Sequence, residues 1–177
     1  MLIKLLTFSM TLLLTSFDTW LPHQKSNASD DLLKIIETEN KHDRYYLRKL
    51  PVNTEKASEK AIALIQDIKP SAIICCGMAE SRYKLTIESN ARCDGDCLQT
   101  TVNLSQLISC LFNASISNDA GNFVCEGLYY QILNYLKNSK LEIPCIFVHI
   151  PILTNSNQSI ILQDFKCILD FMSDNNR

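Results

Sequence analysis

Glycine is scarce in this chain, with four in 177 residues, which excludes a Gly-rich loop cradling a phosphate. Charge of one sign is also missing. A net charge of -2 leaves no basic footprint for nucleic acid and no polybasic patch for a membrane surface. No block of like charges suggests an interaction tail. The most apolar run, Met1 to Leu14, is too short to span a bilayer, so no stable membrane association is expected. No small-x-small cleavage site follows that run, and a buried first strand over Thr11–Ser16 accounts for its residues better than a secretory signal does. Residues 1–9 are set apart as an N-terminal extension, with Met10 as an alternative start, and 10–177 as one catalytic domain, for which the length suffices.

A metal set is missing as well. Cys93-Asp94-Gly95-Asp96-Cys97 offers two thiols where a closed zinc site needs four ligands, and His23 and His42 are isolated in polar stretches. The segment reads as a Gly-centred turn, and no metal is expected.

Cysteine, by contrast, is plentiful at eight. An even count and four Asn-x-Ser sequons at Asn27, Asn103, Asn113 and Asn157 would suit a secreted, disulfide-bonded chain. Yet Cys75 and Cys76 are adjacent in an apolar run, where thiols behave as small buried hydrophobes, and sequons arise by chance in a chain rich in Asn and Ser. The reading is a cytoplasmic protein with free thiols.

Apolar runs alternate with amphipathic stretches. Strands are expected at 11–17, 44–52, 71–78, 83–91, 114–118 and 143–152. Helices are expected at 26–40, 53–68, 124–137 and 157–173, the second ended by Lys69-Pro70. The runs Ile73–Cys76 and Cys145–Val148 are apolar on both faces, as central parallel strands covered by helices should be. The class is therefore α/β, a sandwich around a largely parallel sheet, with function expected at the carboxyl ends of strands.

Four spots stand out there. Phe17 and Trp20 are two aromatics three apart after the first strand, and Glu88 is a carboxylate among apolar residues. The turn-rich segment Ser117 to Val124 delivers Cys125 into a helix, and His149 ends a buried strand. A thiol at a helix start lies near unpaired N–H groups and the positive dipole end, which favour the thiolate. The same N–H groups suit an oxyanion. A histidine can take the thiol proton while a carboxylate holds the imidazole. Each residue also has a bland reading: Cys125 as one structural thiol of eight, His149 as a hydrogen-bonded core residue, Glu88 on a solvated face. Spacing in sequence does not choose between them.

The motifs resemble the pyroglutamyl-peptidase I family of cysteine peptidases. Thr15-Ser16-Phe17-Asp18-Thr19-Trp20 is similar to the family's Thr-Gly-Phe-Glu-Pro-Phe loop, and Leu50-Pro51-Val52 to its Leu-Pro-Val. Gly77-Met78-Ala79-Glu80-Ser81-Arg82 with the later Glu88 resembles Gly-Gln-Ala-Gly-Gly-Arg and its Glu. Ser117 to Cys125, then His149-Ile150-Pro151, is similar to Ser-x-x-Ala-Gly-x-Tyr/Phe-x-Cys and His-x-Pro. The resemblance implies a single-domain three-layer α/β/α sandwich with a mostly parallel twisted sheet. It also implies Cys125 as nucleophile, His149 as acid/base and Glu88 as orienting carboxylate, with no cofactor. Small peptides blocked by an N-terminal pyroglutamyl residue are the implied substrates, and Phe17 and Trp20 fall where relatives flank the lactam ring.

The chain departs from the pattern at Met78, where many bacterial relatives carry a substrate-contacting Gln. It also departs at Glu126, where Asn is common and a charge opposes a nearby thiolate, and at Ser16, where Gly is usual. The stretch 90–113 is shorter than in relatives, where it shapes the cleft and subunit contacts. A homo-oligomer therefore stays open, as do two alternatives: a hydrolase of another small amide, and a catalytically inactive binding protein of the same fold.

Overall fold

The computed structural model describes residues 10–39 and 41–174; the proposed extension at 1–9 lies outside them. In chain order the elements are β1 (Leu12–Phe17), α1 (Ala28–Glu37), β2 (Arg44–Leu50), α2 (Thr54–Ile68), β3 (Ala72–Met78), β4 (Leu85–Glu88), β5 (Asn90–Cys93), β6 (Asp96–Gln99), α3 (Leu104–Ile108), β7 (Ala114–Ser117), α4 (Val124–Asn138), β8 (Cys145–Ile150) and α5 (Gln158–Asp174). The first strand takes up residues 12–17, and every residue of it is buried.

Six strands form one sheet in the order β2-β1-β3-β8-β4-β7. Pairing is parallel except between β4 and β8, so β4 and β7 run against the other four. Period-two alternation sorts side chains onto two faces. Leu12, Leu14, Ile74, Cys76, Ile146 and Val148 pack under α1 and α5, while Leu13, Phe17, Cys75, Cys145 and Phe147 pack under α2 and α4. Helices on both faces of a mostly parallel sheet give the expected three layers.

The stretch 83–91 differs from expectation in one respect. It breaks at Ser89, whose N–H donates to Ser117 O at 2.8 Å. Asn90 onward pairs with β6 as a separate hairpin, whose Ala91 and Leu98 pack on the α4 side. The hairpin tip is the turn read at Asp94-Gly95, with Asp94 at φ 49° and Gly95 at φ 86°. Cys93 faces Asp96 and Cys97 faces Arg92 across the hairpin. The two thiols therefore stand on opposite faces, and all eight cysteines are free.

Three of the helix starts are capped by asparagine. Asn27, Asn53 and Asn103 accept hydrogen bonds from the N–H groups of Ser29, Lys56 and Gln106, satisfying donors that a helix start otherwise leaves open. Two of these, Asn27 and Asn103, belong to sequons. The start of α4 is different: Phe123 caps it with no side-chain hydrogen bond. No helix among the described residues is long and apolar enough to cross a membrane.

Candidate active site

Gly77 is the floor on which the candidate residues meet. It pairs with His149 across β3 and β8, and a Cβ added to it would lie 2.7 Å from Cys125 Sγ and 2.8 Å from Phe147 Cζ. The missing side chain lets the first turn of α4 press the thiol onto the sheet beside β8, and no larger residue fits there without something shifting.

His149 is 5% exposed, and its ring lies 4.9 Å from that of Phe147. Its Nδ1 is 2.7 Å from Glu88 Oε1, an arrangement that leaves Nε2 as the working nitrogen. The carboxylate reaches the ring because β4 runs antiparallel to β8, with Thr86 opposite His149 and Glu88 opposite Phe147, all on the α4 face. Glu88 is fully buried. Burial pushes its carboxyl up, but hydrogen bonds from His149, Ser117 and Arg82 outweigh this and hold it below the ordinary range. The solvated-face reading of Glu88 is thereby excluded.

The thiol behaves differently from what its place at a helix start suggests. Burial, with smaller contributions from Cys75 and the Glu88 charge, pushes Cys125 up to about 12, while Arg82 pulls the other way. Desolvation by the sheet outweighs the helix dipole here. At neutral pH the resting sulfur is therefore a thiol. Among the described residues no hydrogen bond joins Cys125 to His149, so the proton must pass to the imidazole during reaction and not before it.

The segment into α4 is held by its own polar groups. Asp119 N donates to Ser117 Oγ at 3.2 Å and Gly121 N to Asp119 Oδ1 at 3.0 Å. Gly121 has φ +88°, a conformation that favours glycine. Glu126, expected to burden the thiolate, is buried and accepts the backbone N–H of Arg92 at 3.0 Å, anchoring the β5–β6 hairpin to the first turn of α4. Ser16, in place of the usual glycine, donates to Asp30 Oδ1 at 2.8 Å.

The expected pocket walls are arranged otherwise. Phe17 is the last residue of β1 and 2% exposed, so it forms core beneath the site. Trp20, 51% exposed, pairs with Phe123 at a centroid distance of 5.5 Å. Phe123 is 67% exposed and caps the helix that carries Cys125. The sequence signal for Phe123 was its place two residues before the thiol. Met78 lies on the other face, in the α1 and α5 layer, and its Sδ accepts the N–H of Ala28 at 3.2 Å. Arg82 was visible only as the end of a motif; its guanidinium bonds Glu88 Oε1 at 2.5 Å. Among the described residues no group of three or more His, Cys, Asp or Glu is placed to hold a metal ion.

The family model for pyroglutamyl peptidase matches residues 104–166, the part that carries Cys125 and His149. This chain is similar to the pyroglutamyl peptidase family. Pyrrolidone-carboxylate peptidase 1 of Caldanaerobacter subterraneus subsp. tengcongensis is 28% identical over 81% of this chain and 83% of its own length. A pyrrolidone-carboxylate peptidase of Thermoanaerobacter sp. is 29% identical with the same coverage. Among solved structures, the pyroglutamyl peptidase I of Bacillus amyloliquefaciens superposes with a TM-score of 0.80 at 20% identity, over 93% of this chain and 95% of that one. A mutant pyrrolidone carboxyl peptidase of Pyrococcus furiosus also gives 0.80, at 20% identity over 95% and 100%. These superpositions establish that this chain has the same fold as those two proteins.

Proposed function

We propose that this chain is a cysteine exopeptidase of the pyroglutamyl peptidase family that removes an N-terminal pyroglutamyl residue from small peptides. The observation that carries the reading is the convergence at Gly77: Cys125 Sγ presses on it from α4, and His149, oriented by Glu88 at 2.7 Å, pairs with it from β8.

In this reading His149 Nε2 takes the thiol proton as Sγ attacks the carbonyl carbon of the bond after the pyroglutamyl residue. The C=O electrons move onto oxygen, and the resulting oxyanion is met by the N–H groups at the α4 start, which no side chain caps. Collapse expels the peptide amine, protonated by the imidazolium, and leaves a pyroglutamyl thioester on Cys125. Water, deprotonated by His149, then attacks the thioester and releases pyroglutamate and the thiol. Glu88 keeps the imidazole tautomer and balances its charge when protonated. The Trp20–Phe123 pair supplies flat apolar surface suited to a small uncharged ring.

A fluorogenic pyroglutamyl amide tests this directly. Release of the fluorophore that disappears in Cys125→Ala supports the reading, and turnover surviving that substitution overturns it.

Met78 favours a second reading. Its sulfur is engaged by the α1 backbone on the face away from Cys125, so this position offers the ring no polar anchor, and a site without such anchors discriminates weakly. A hydrolase of another small amide would label at Cys125 with a thiol reagent yet leave pyroglutamyl amides intact.

A further inference from the structure

One guanidinium ties together the two halves of the site. Glu88 Oε1 accepts from Arg82 Nη1 at 2.5 Å while also facing His149 Nδ1 at 2.7 Å. Arg82 Nη1 bonds Thr86 Oγ1 as well, and Thr86 is the residue opposite His149 in the sheet. From the other side of the same group, Nη2 donates to the backbone carbonyl of Asp119 at 2.8 Å, with Ser117 Oγ at 3.5 Å. Asp119 belongs to the segment that leads into α4 and to Cys125. That segment has no regular structure, so its place depends on a few side-chain bonds.

We propose that Arg82 is a positioning residue that locks the Glu88 carboxylate against His149 and the Cys125-bearing segment against Glu88. The inference rests on the reading that Cys125, His149 and Glu88 act together. A carboxylate held only by the imidazole and Ser117 keeps torsional freedom that a fork contacting both carboxylate and carbonyl removes. A lysine preserves the charge but contacts one point at a time.

The same group sets the charge balance. Acting on the thiol are Cys75 from β3, Glu88 from β4 and Arg82 from the loop between β3 and β4, while Glu126, next to Cys125 on α4, has its carboxylate bonded to Arg92 N. Arg82 favours loss of the Cys125 proton, so removing this cation makes that loss harder.

The test compares wild type, R82Q and R82K. R82Q is expected to lower kcat about 10- to 100-fold, with KM within about threefold of wild type. R82K should recover part of kcat. Alkylation of Cys125 by iodoacetamide at one fixed pH, followed by peptide mass spectrometry, reads the thiolate without any substrate and should slow about threefold or more in R82Q but not in R82K. Unchanged kcat and unchanged alkylation in folded R82Q, whatever its melting temperature, overturn the inference. If R82Q does not fold, R82K decides: full wild-type kcat in R82K overturns the fork's role. Slower alkylation in R82Q with no pyroglutamyl turnover in wild type leaves Arg82 standing and rejects the substrate reading.

Discussion

Gly77 and Cys125 approach so closely that a single methyl group on residue 77 would lie 2.7 Å from the sulfur. The absent side chain is what lets a helix from one layer deliver its thiol to the central strands.

Gly77→Ala is therefore expected to be damaging twice over. The methyl meets both Cys125 Sγ and the Phe147 ring, and overpacking of this kind costs about 1–3 kcal/mol. Chemical denaturation should show that loss, and turnover should fall further than stability explains because the thiol itself is displaced.

Glu88→Gln keeps the shape but removes the charge that orients and balances His149. A drop in kcat of about 10²- to 10⁴-fold is expected. Stability should carry a pH signature. The folded carboxyl is held below its ordinary 4.5, so its contribution is complete above that value and is lost as pH falls through the lowered one. The stability difference between wild type and the variant should shrink below about pH 4.5 in acid unfolding curves.

Thiol labelling should run against naive expectation for a catalytic cysteine. Cys97 and Cys110 are exposed, whereas Cys125 is pushed up to about 12. At neutral pH, iodoacetamide should modify Cys97 and Cys110 before Cys125 in the resting protein. Time-resolved peptide mass spectrometry checks the order; first labelling at Cys125 would mean a preformed thiolate.

Trp20→Ala removes one partner of the exposed ring pair with Phe123. Loss of an apolar wall weakens ground-state and transition-state binding alike, so KM should rise about tenfold with kcat nearly unchanged. Steady-state kinetics on a pyroglutamyl amide separates the two.

Much of the fold was legible from local pattern. The doubly apolar runs at Ile73–Cys76 and Cys145–Val148 are the central strands β3 and β8, and the helical spacing of Ala57, Ala61 and Ile65 places their side of α2 in the core. Such periodicities are written residue by residue, because burial on two faces or one acts on each side chain separately. The break at Ser89 was not legible. It depends on a hydrogen bond to Ser117, a partner distant in sequence.

The chemistry divides the same way. By itself the sequence determined which residues are candidates, since thiol, imidazole and carboxylate lie in motifs at readable positions, and it determined where α4 begins. Only the tertiary structure decided what they do to one another. It put Glu88 against His149 by running β4 antiparallel to β8, moved Phe17 into the core and set Trp20 beside Phe123. It turned an expected thiolate into a thiol. Desolvation, packing and charge pairing depend on distances between groups far apart in the chain, and those distances exist only once the layers have closed on the sheet.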